Sequence, residues 1–270
     1  DGIIVRVTIR TFVTGEKMTV FVCGQEIEDI WCGIYDAWMS GLGHKNVRLE
    51  PEGRDRELFC EYCEVVTESW KAEKVTESIR GKLSEEIYEV VYRAALSEDC
   101  DRADKIYRFL IYAFALGTGV MDQLQIPAIY EIFRMNRYLS REYTHIIEFA
   151  RFSEMEEGVL LGRIRPNNDI VSLVAVHFAD RLSGENWILY DCGRKKAAVH
   201  QANEGWMIVY ADSLEWQERL NKKTDEENYE SLWKTFHTAI AIVPRTNLKC
   251  QQNMLPLRFR PYMTEFGAFN

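Results

Sequence analysis

The chain has 270 residues, 47% of them hydrophobic and 28% charged, and a net charge of -9. That is enough apolar material for one large core or two smaller ones and too much for a disordered chain. The acidity disfavours global attraction to nucleic acid or anionic membrane, so any such contact must be a local basic patch. Seven cysteines, an odd number scattered among apolar residues, argue against a secreted disulfide framework. No apolar run approaches the roughly 18 residues of a membrane span, and no signal-peptide pattern is present. The expectation is a cytoplasmic protein with no membrane partner.

Residues 1–17 match poorly with the rest of the chain. Two readings stand for them: an upstream, non-native extension with Met18 as the natural start, or an ordinary N-terminal strand from Ile3 to Phe12. From Thr19 to Cys23 a strand is predicted. A helix over about 26–40 places Ile27, Ile30, Trp31, Ile34, Tyr35 and Trp38 on one face, and Gly41 and Gly43 stop it. Strands are expected over 46–50 and 57–66, around the turn Pro51-Glu52-Gly53. A helical block comes next: 68–80, then a helix capped by Ser84, then one capped by Asp101 and broken at Gly117 and Gly119. Pro127 opens a long helix to about Phe152. Beyond it the period changes. A strand is read at 158–164, and short strands at 187–190, 197–200 and 206–210, separated by turn-like segments, read as an antiparallel meander, succeeded by a helix over 226–242 and a Pro-rich tail.

The fold class is therefore α+β. A mostly helical part with a few strands spans 18–155, and a meander with a helix and an irregular basic tail spans 156–270. These two parts can be layers of one continuous domain.

No complete catalytic motif is present. Cys60-Glu61-Tyr62-Cys63 is a lone CxxC on a predicted strand, whereas zinc sites need a second pair or well-spaced histidines; the set expected of an iron–sulfur cluster is absent. No metal and no cofactor is expected. His177-Phe178-Ala179-Asp180-Arg181 gathers an imidazole, a carboxylate and a guanidinium, so His177 and Asp180 are the candidate catalytic residues, with a buried hydrogen-bonded turn as the alternative. Gly117-Thr118-Gly119 has the look of a phosphate-contacting hairpin turn, but a lone GxG is more often a plain linker.

The charge pattern is more specific. From Ser231 to Thr264 there is no Asp or Glu, while Lys234, Arg245, Lys249, Arg258 and Arg260 alternate with Trp233, Phe236, Phe259 and Tyr262. A basic, aromatic-interleaved stretch in an acidic protein suits a local nucleic-acid contact. It equally suits arginines that tie the tail to acidic helices.

The tail Asn247-Leu248-Lys249 … Leu255-Pro256-Leu257-Arg258-Phe259-Arg260-Pro261-Tyr262-Met263-Thr264-Glu265-Phe266 resembles the closing signature of a bacterial family described as DNA metabolism or DNA repair proteins. Members of that family otherwise carry only a domain of unknown function. Ile34-Tyr35-Asp36-Ala37-Trp38, Asn46-Val47-Arg48-Leu49-Glu50, Ile106-Tyr107-Arg108-Phe109-Leu110, Arg151-Phe152-Ser153-Glu154 and Asn186-Trp187 add to it, so the resemblance runs from about Met18 to Phe266. It implies a partner, a radical S-adenosylmethionine protein that modifies or repairs DNA. It also implies relatives fused to an iron–sulfur uracil-DNA glycosylase, whose cysteine set has no counterpart here. The expected function is a DNA repair or DNA metabolism accessory that contacts single- or double-stranded DNA locally. Arg181, Trp187, Lys249, Arg258, Phe259, Arg260 and Tyr262 are its candidate DNA-binding residues. The alternatives are an enzyme in its own right, with base-excision or hydrolytic activity based on His177 or Asp180, or a protein–protein adaptor without DNA contact.

Overall fold

The computed structural model describes residues 17–155, 158–210, 255–263 and 266. The expectations for 1–16, for the helix over 226–242 and for Lys249 lie outside the described residues. The chain divides into two compact units, Asp1–Ala95 with Asp99–Ile132, and Leu96–Glu98 with Phe133–Asn270.

The first unit is built on three parallel strands, β1 (Met18–Cys23), β2 (Val47–Pro51) and β3 (Cys60–Glu64), in the order β2-β1-β3. β1 takes the centre because Val20, Phe21 and Cys23 are all buried, as a strand covered on both faces requires. β3 is an edge, and none of its residues is buried. Two parallel neighbours need a crossover, here α1 (Ile27–Met39), which buries Ile30, Trp31, Ile34 and Ala37. The start of α1 is fixed by Asp29, whose carboxylate accepts the Glu26 N–H at 3.1 Å and the Thr67 hydroxyl at 2.5 Å. A Cβ on Gly24 would fall 2.2 Å from that carboxylate, so only glycine fits beside it.

Three further helices complete the unit: α2 (Ser69–Lys82), α3 (Glu85–Ala95) and α4 (Arg102–Leu116). The Ser84 hydroxyl caps α3 by accepting the Ile87 N–H at 3.1 Å. Asp101 does precede α4, but its carboxylate pairs with Arg54 at 2.5 Å and makes no cap bond, because the guanidinium is the stronger donor. α4 holds β2 through Asp104, which accepts the Leu49 N–H at 3.1 Å, and through Arg108, which donates to the carbonyls of His44 and Val47. At the centre Tyr107 is fully buried, its hydroxyl 2.8 Å from His44 Nδ1 and its ring edge-on to Trp38. Gly117, with φ +68°, ends α4, and a 3-10 turn (Gly117–Asp122) succeeds it instead of a plain break.

The long helix α5 (Pro127–Phe149) ends three residues earlier than its periodicity suggests. Phe152–Glu154 leaves it to form the short strand β4. In the second unit β4, β5 (Leu160–Ile164), β6 (Trp187–Asp191), β7 (Lys196–His200) and β8 (Trp206–Tyr210) form one mixed sheet in chain order. The expected meander holds for β6, β7 and β8. β5 and β6, however, run parallel, and the crossover between them is an unexpected helix, α6 (Val171–Arg181), packed against β6, β7 and β8. α6 escapes a periodicity reading because its first residues, Val171 to Val176, are almost uninterruptedly apolar and its N-cap, Ile170, offers no capping side chain. The core on this face is aromatic. Phe152 lies edge-on to Phe178 at 4.9 Å, and Trp187, fully buried, stacks on His200 at 4.9 Å. Gly162 of β5 is needed there, since a Cβ would meet the Phe152 ring at 2.9 Å.

Candidate functional site

In a β-α-β unit with parallel strands, loops at the carboxyl ends of the strands collect ligand-binding residues, because the crossover helix leaves that edge open. In the second unit this edge is made by the loop Arg165-Pro166-Asn167-Asn168-Asp169 after β5 and the hairpin Asp191–Lys196 after β6. The tail closes it with a 3-10 helix (Leu257–Tyr262) packed on β5.

The loop is held from below by a carboxylate. Glu142 of α5, only 3% exposed, accepts the N–H groups of Asn167 and Asn168 at 2.9 and 2.8 Å and the Asn168 amide at 2.6 Å. The Asn168 side-chain oxygen in turn accepts the Glu98 N–H at 3.0 Å. Arg258 of the tail completes the set with an ion pair to Glu142 at 2.7 Å. The hairpin is set by Asp191, fully buried, whose Oδ1 accepts the Gly193 and Arg194 N–H groups at 2.8 and 3.3 Å. Burial pushes the Asp191 carboxyl up, and those hydrogen bonds together with the Arg194 guanidinium oppose the shift. Arg194 reaches back across the edge to the carbonyls of Pro166 and Asn167, stitching hairpin to loop. Lys196 pairs with Asp169 at 2.8 Å.

Tyr262 sits over this frame. Arg165 donates a hydrogen bond to its hydroxyl, yet burial and the neighbouring Cys192 push the phenol up. Burial also pushes the Cys192 thiol up, against the pull of Arg163, so this cysteine is held as a thiol and not as a nucleophilic thiolate. What the edge offers instead is positive charge. Arg163, Arg165, Arg194, Lys195, Lys196, Arg258 and Arg260 stand around it against Glu98, Glu142, Asp169 and Asp191, seven cations to four carboxylates among the described residues. In a chain of net charge -9 this is a local reversal of sign.

The residues singled out from the sequence divide into two places. Arg258, Arg260 and Tyr262 belong to this edge. Phe259 is 4% exposed and is the anchor of the tail, its ring 5.6 Å from His145 and 6.4 Å from Phe149 of α5, so it holds the segment down and presents no free face. His177, Asp180 and Arg181 lie in the last turn and a half of α6, at the opposite end of the β5-α6-β6 unit from the tail. The last two are exposed, and no hydrogen bond or ion pair joins any of the three among the described residues, so neither a buried turn nor an oriented acid–base pair is formed there. Trp187, near that same end, is 0% exposed and sandwiched in the core, out of reach of an external base. Sequence reasoning missed Glu142, Arg165, Asn167, Asn168, Asp191 and Arg194. The one local signal was the polar run 165–169 between two apolar segments.

In the first unit, Cys60 and Cys63 stand three apart on β3, where alternation sends their side chains to opposite faces. The carboxylates of Asp99 and Asp101, which cluster with Cys100, are already engaged by Lys105 at 2.6 Å and Arg54 at 2.5 Å. No single helix among the described residues is long and apolar enough to cross a membrane.

No curated protein matches the chain. A family model described as a domain of unknown function, DUF4130, matches residues 100–265, which takes in α4, α5 and all of the sheet edge with its tail. The chain belongs to the DUF4130 family.

Proposed function

We propose that this protein is a DNA-repair or DNA-metabolism accessory that contacts DNA locally through the arginine-rich edge of its second unit, beside a radical S-adenosylmethionine enzyme that carries out the chemistry. The observation that supports the contact is the gathering of Arg163, Arg165, Arg194, Arg258 and Arg260 around one sheet edge of an otherwise acidic protein. Several of these guanidiniums are fixed by carbonyls and carboxylates, which limits the conformational entropy lost when a phosphate docks on their outer faces. Arg258 keeps 39% of its side chain exposed while paired with Glu142, and so is positioned without being covered. The radical-enzyme partner rests on the family resemblance of the tail.

The test is fluorescence anisotropy of labelled DNA across a salt series, on the whole protein and on Arg165→Glu and Arg258→Glu/Arg260→Glu. Phosphate contacts predict that log affinity falls with log salt by about 0.9 per contact on duplex, with a shallower slope for each variant. Identical slopes for wild type and variants, or no binding at low salt, would overturn the reading and leave an adaptor that binds its partner enzyme alone.

A further inference from the structure

α5 carries a second surface besides the one that meets Arg258 and Phe259. Its inward face is built from Met135, Leu139, Glu142 and Ile146, all buried. Over 133–144 the exposed positions are Phe133, Arg137, Tyr138, Arg141 and Thr144, with no carboxylate among them. Arg137 and Arg141 lie one turn apart, a rise of about 6 Å. Neither makes an ion pair or hydrogen bond among the described residues.

This is an unusual choice for an acidic protein. Like charges four residues apart on a helix repel, and exposed helices ordinarily relieve this with an acidic residue at three- or four-residue spacing. The aromatics add a second constraint. Tyr138 is 56% exposed and Phe133 37%, and the guanidinium of Arg134 lies 5.8 Å from the Tyr138 ring centre, which braces the ring from one side. Arg137 and Arg141 are neighbours at four-residue spacing and Tyr138 and Arg141 at three, so two cations and one exposed ring share a face that phosphates and a stacked base can meet together. A duplex would hide its bases from Tyr138, so a ring offered for stacking suits an unpaired strand.

We propose that the outer face of α5 binds single-stranded nucleic acid, with Arg137 and Arg141 on successive phosphates and Tyr138 stacked on a base. The proposal rests on the DNA-contact reading above and narrows it to an unpaired strand.

The experiment compares labelled oligo-dT with a duplex of equal length, using wild type, Arg137→Glu/Arg141→Glu, Arg137→Lys/Arg141→Lys, Tyr138→Ala and Arg258→Glu/Arg260→Glu. All the altered α5 positions are exposed, and circular dichroism melts check that folding is kept. The charge reversal is expected to weaken oligo-dT binding at least tenfold, to spare duplex binding, and to lower the salt slope by about 0.7 for each lost contact on a single strand. The double lysine variant retains most affinity. Tyr138→Ala weakens oligo-dT binding without changing the slope. If oligo-dT binding survives the α5 reversal and is lost only in the tail variant, the proposal falls while the DNA-contact reading stands. If the tail variant binds normally and the α5 variant does not, the proposal stands and the sheet edge is not the contact. Equal displacement of oligo-dT by polyglutamate of the same charge would overturn the strand assignment in favour of an acidic protein partner.

Discussion

The carboxylate of Glu142, buried at 3% exposure, lies 2.7 Å from the guanidinium of Arg258, although they stand 116 positions apart in the chain. The same carboxylate takes three further hydrogen bonds from Asn167 and Asn168. One side chain therefore fixes both the loop after β5 and the tail that lies on it.

The pair is asymmetric, and the asymmetry can be measured. Glu142→Ala leaves two backbone N–H groups and an amide without an acceptor, so urea denaturation is expected to show a loss of about 1–3 kcal/mol. Arg258→Ala leaves Glu142 with its other three donors and removes a half-exposed partner, so the expected cost is under about 1 kcal/mol. Equal losses in the two variants would mean that Glu142 owes its place to the arginine.

Gly162→Ala tests the aromatic core. The new Cβ would meet the Phe152 ring at 2.9 Å, and Phe152 packs on Phe178 and Trp187. Overpacking of this kind is expected to cost about 1–3 kcal/mol and to shift the emission of Trp187. An unchanged melting temperature and spectrum would show that the ring moves aside without strain.

In the first unit the alkaline limb of stability is set by buried acids that resist ionisation. Burial, with Asp29 nearby, pushes the Cys23 thiol from 9.0 up to about 12, and burial pushes the Tyr107 phenol from 10.0 up to about 12. Each is protonated in both states below its unfolded value. As pH rises past that value the unfolded chain loses the proton first, so stability falls from about pH 9 for Cys23 and about pH 10 for Tyr107, until pH 12 is reached. Tyr107→Phe removes one of these contributions. Its stability is expected to decline less steeply between pH 10 and 12 than that of the parent, as tracked by circular dichroism. A parallel decline would remove Tyr107 from the account.

His177→Ala and Arg181→Ala are expected to change neither stability by more than about 0.5 kcal/mol nor DNA affinity at the tail edge, because they stand at the far end of α6 without a hydrogen bond or ion pair among the described residues. Loss of DNA binding in either would relocate the site. Trp187→Ala should behave in the opposite way. It is expected to cost about 3–5 kcal/mol in stability, as the truncation of a fully buried aromatic does, with the salt slope of the folded protein unchanged.

Much of the element order was legible in the sequence because it rests on local periodicity. Ile30, Trp31 and Ile34 mark α1 as helical through three- and four-residue spacing, and the alternation of Val47 and Leu49 marks β2, whatever lies around them. The acid-free basic run likewise pointed to Arg258, Arg260 and Tyr262 without any structure. α6 was not legible, because Val171 to Val176 is apolar nearly throughout and such a run suits a helix or a strand equally.

The sequence by itself determined that this is an α+β chain, acidic overall, with one basic, aromatic-interleaved stretch free of acidic residues from Ser231 to Thr264, since composition, charge and period are properties of neighbouring residues. Only the tertiary structure decided that β5 and β6 are parallel, that Glu142, Asn168, Asp191 and Arg194 frame the edge on which the tail rests, and that His177 and Trp187 stand apart from it. The reason is physical. A crossover reverses the chain by a whole helix and brings together groups tens of residues apart, and the burial that makes Trp187 core and leaves Arg137 and Arg141 exposed exists only once the layers have packed.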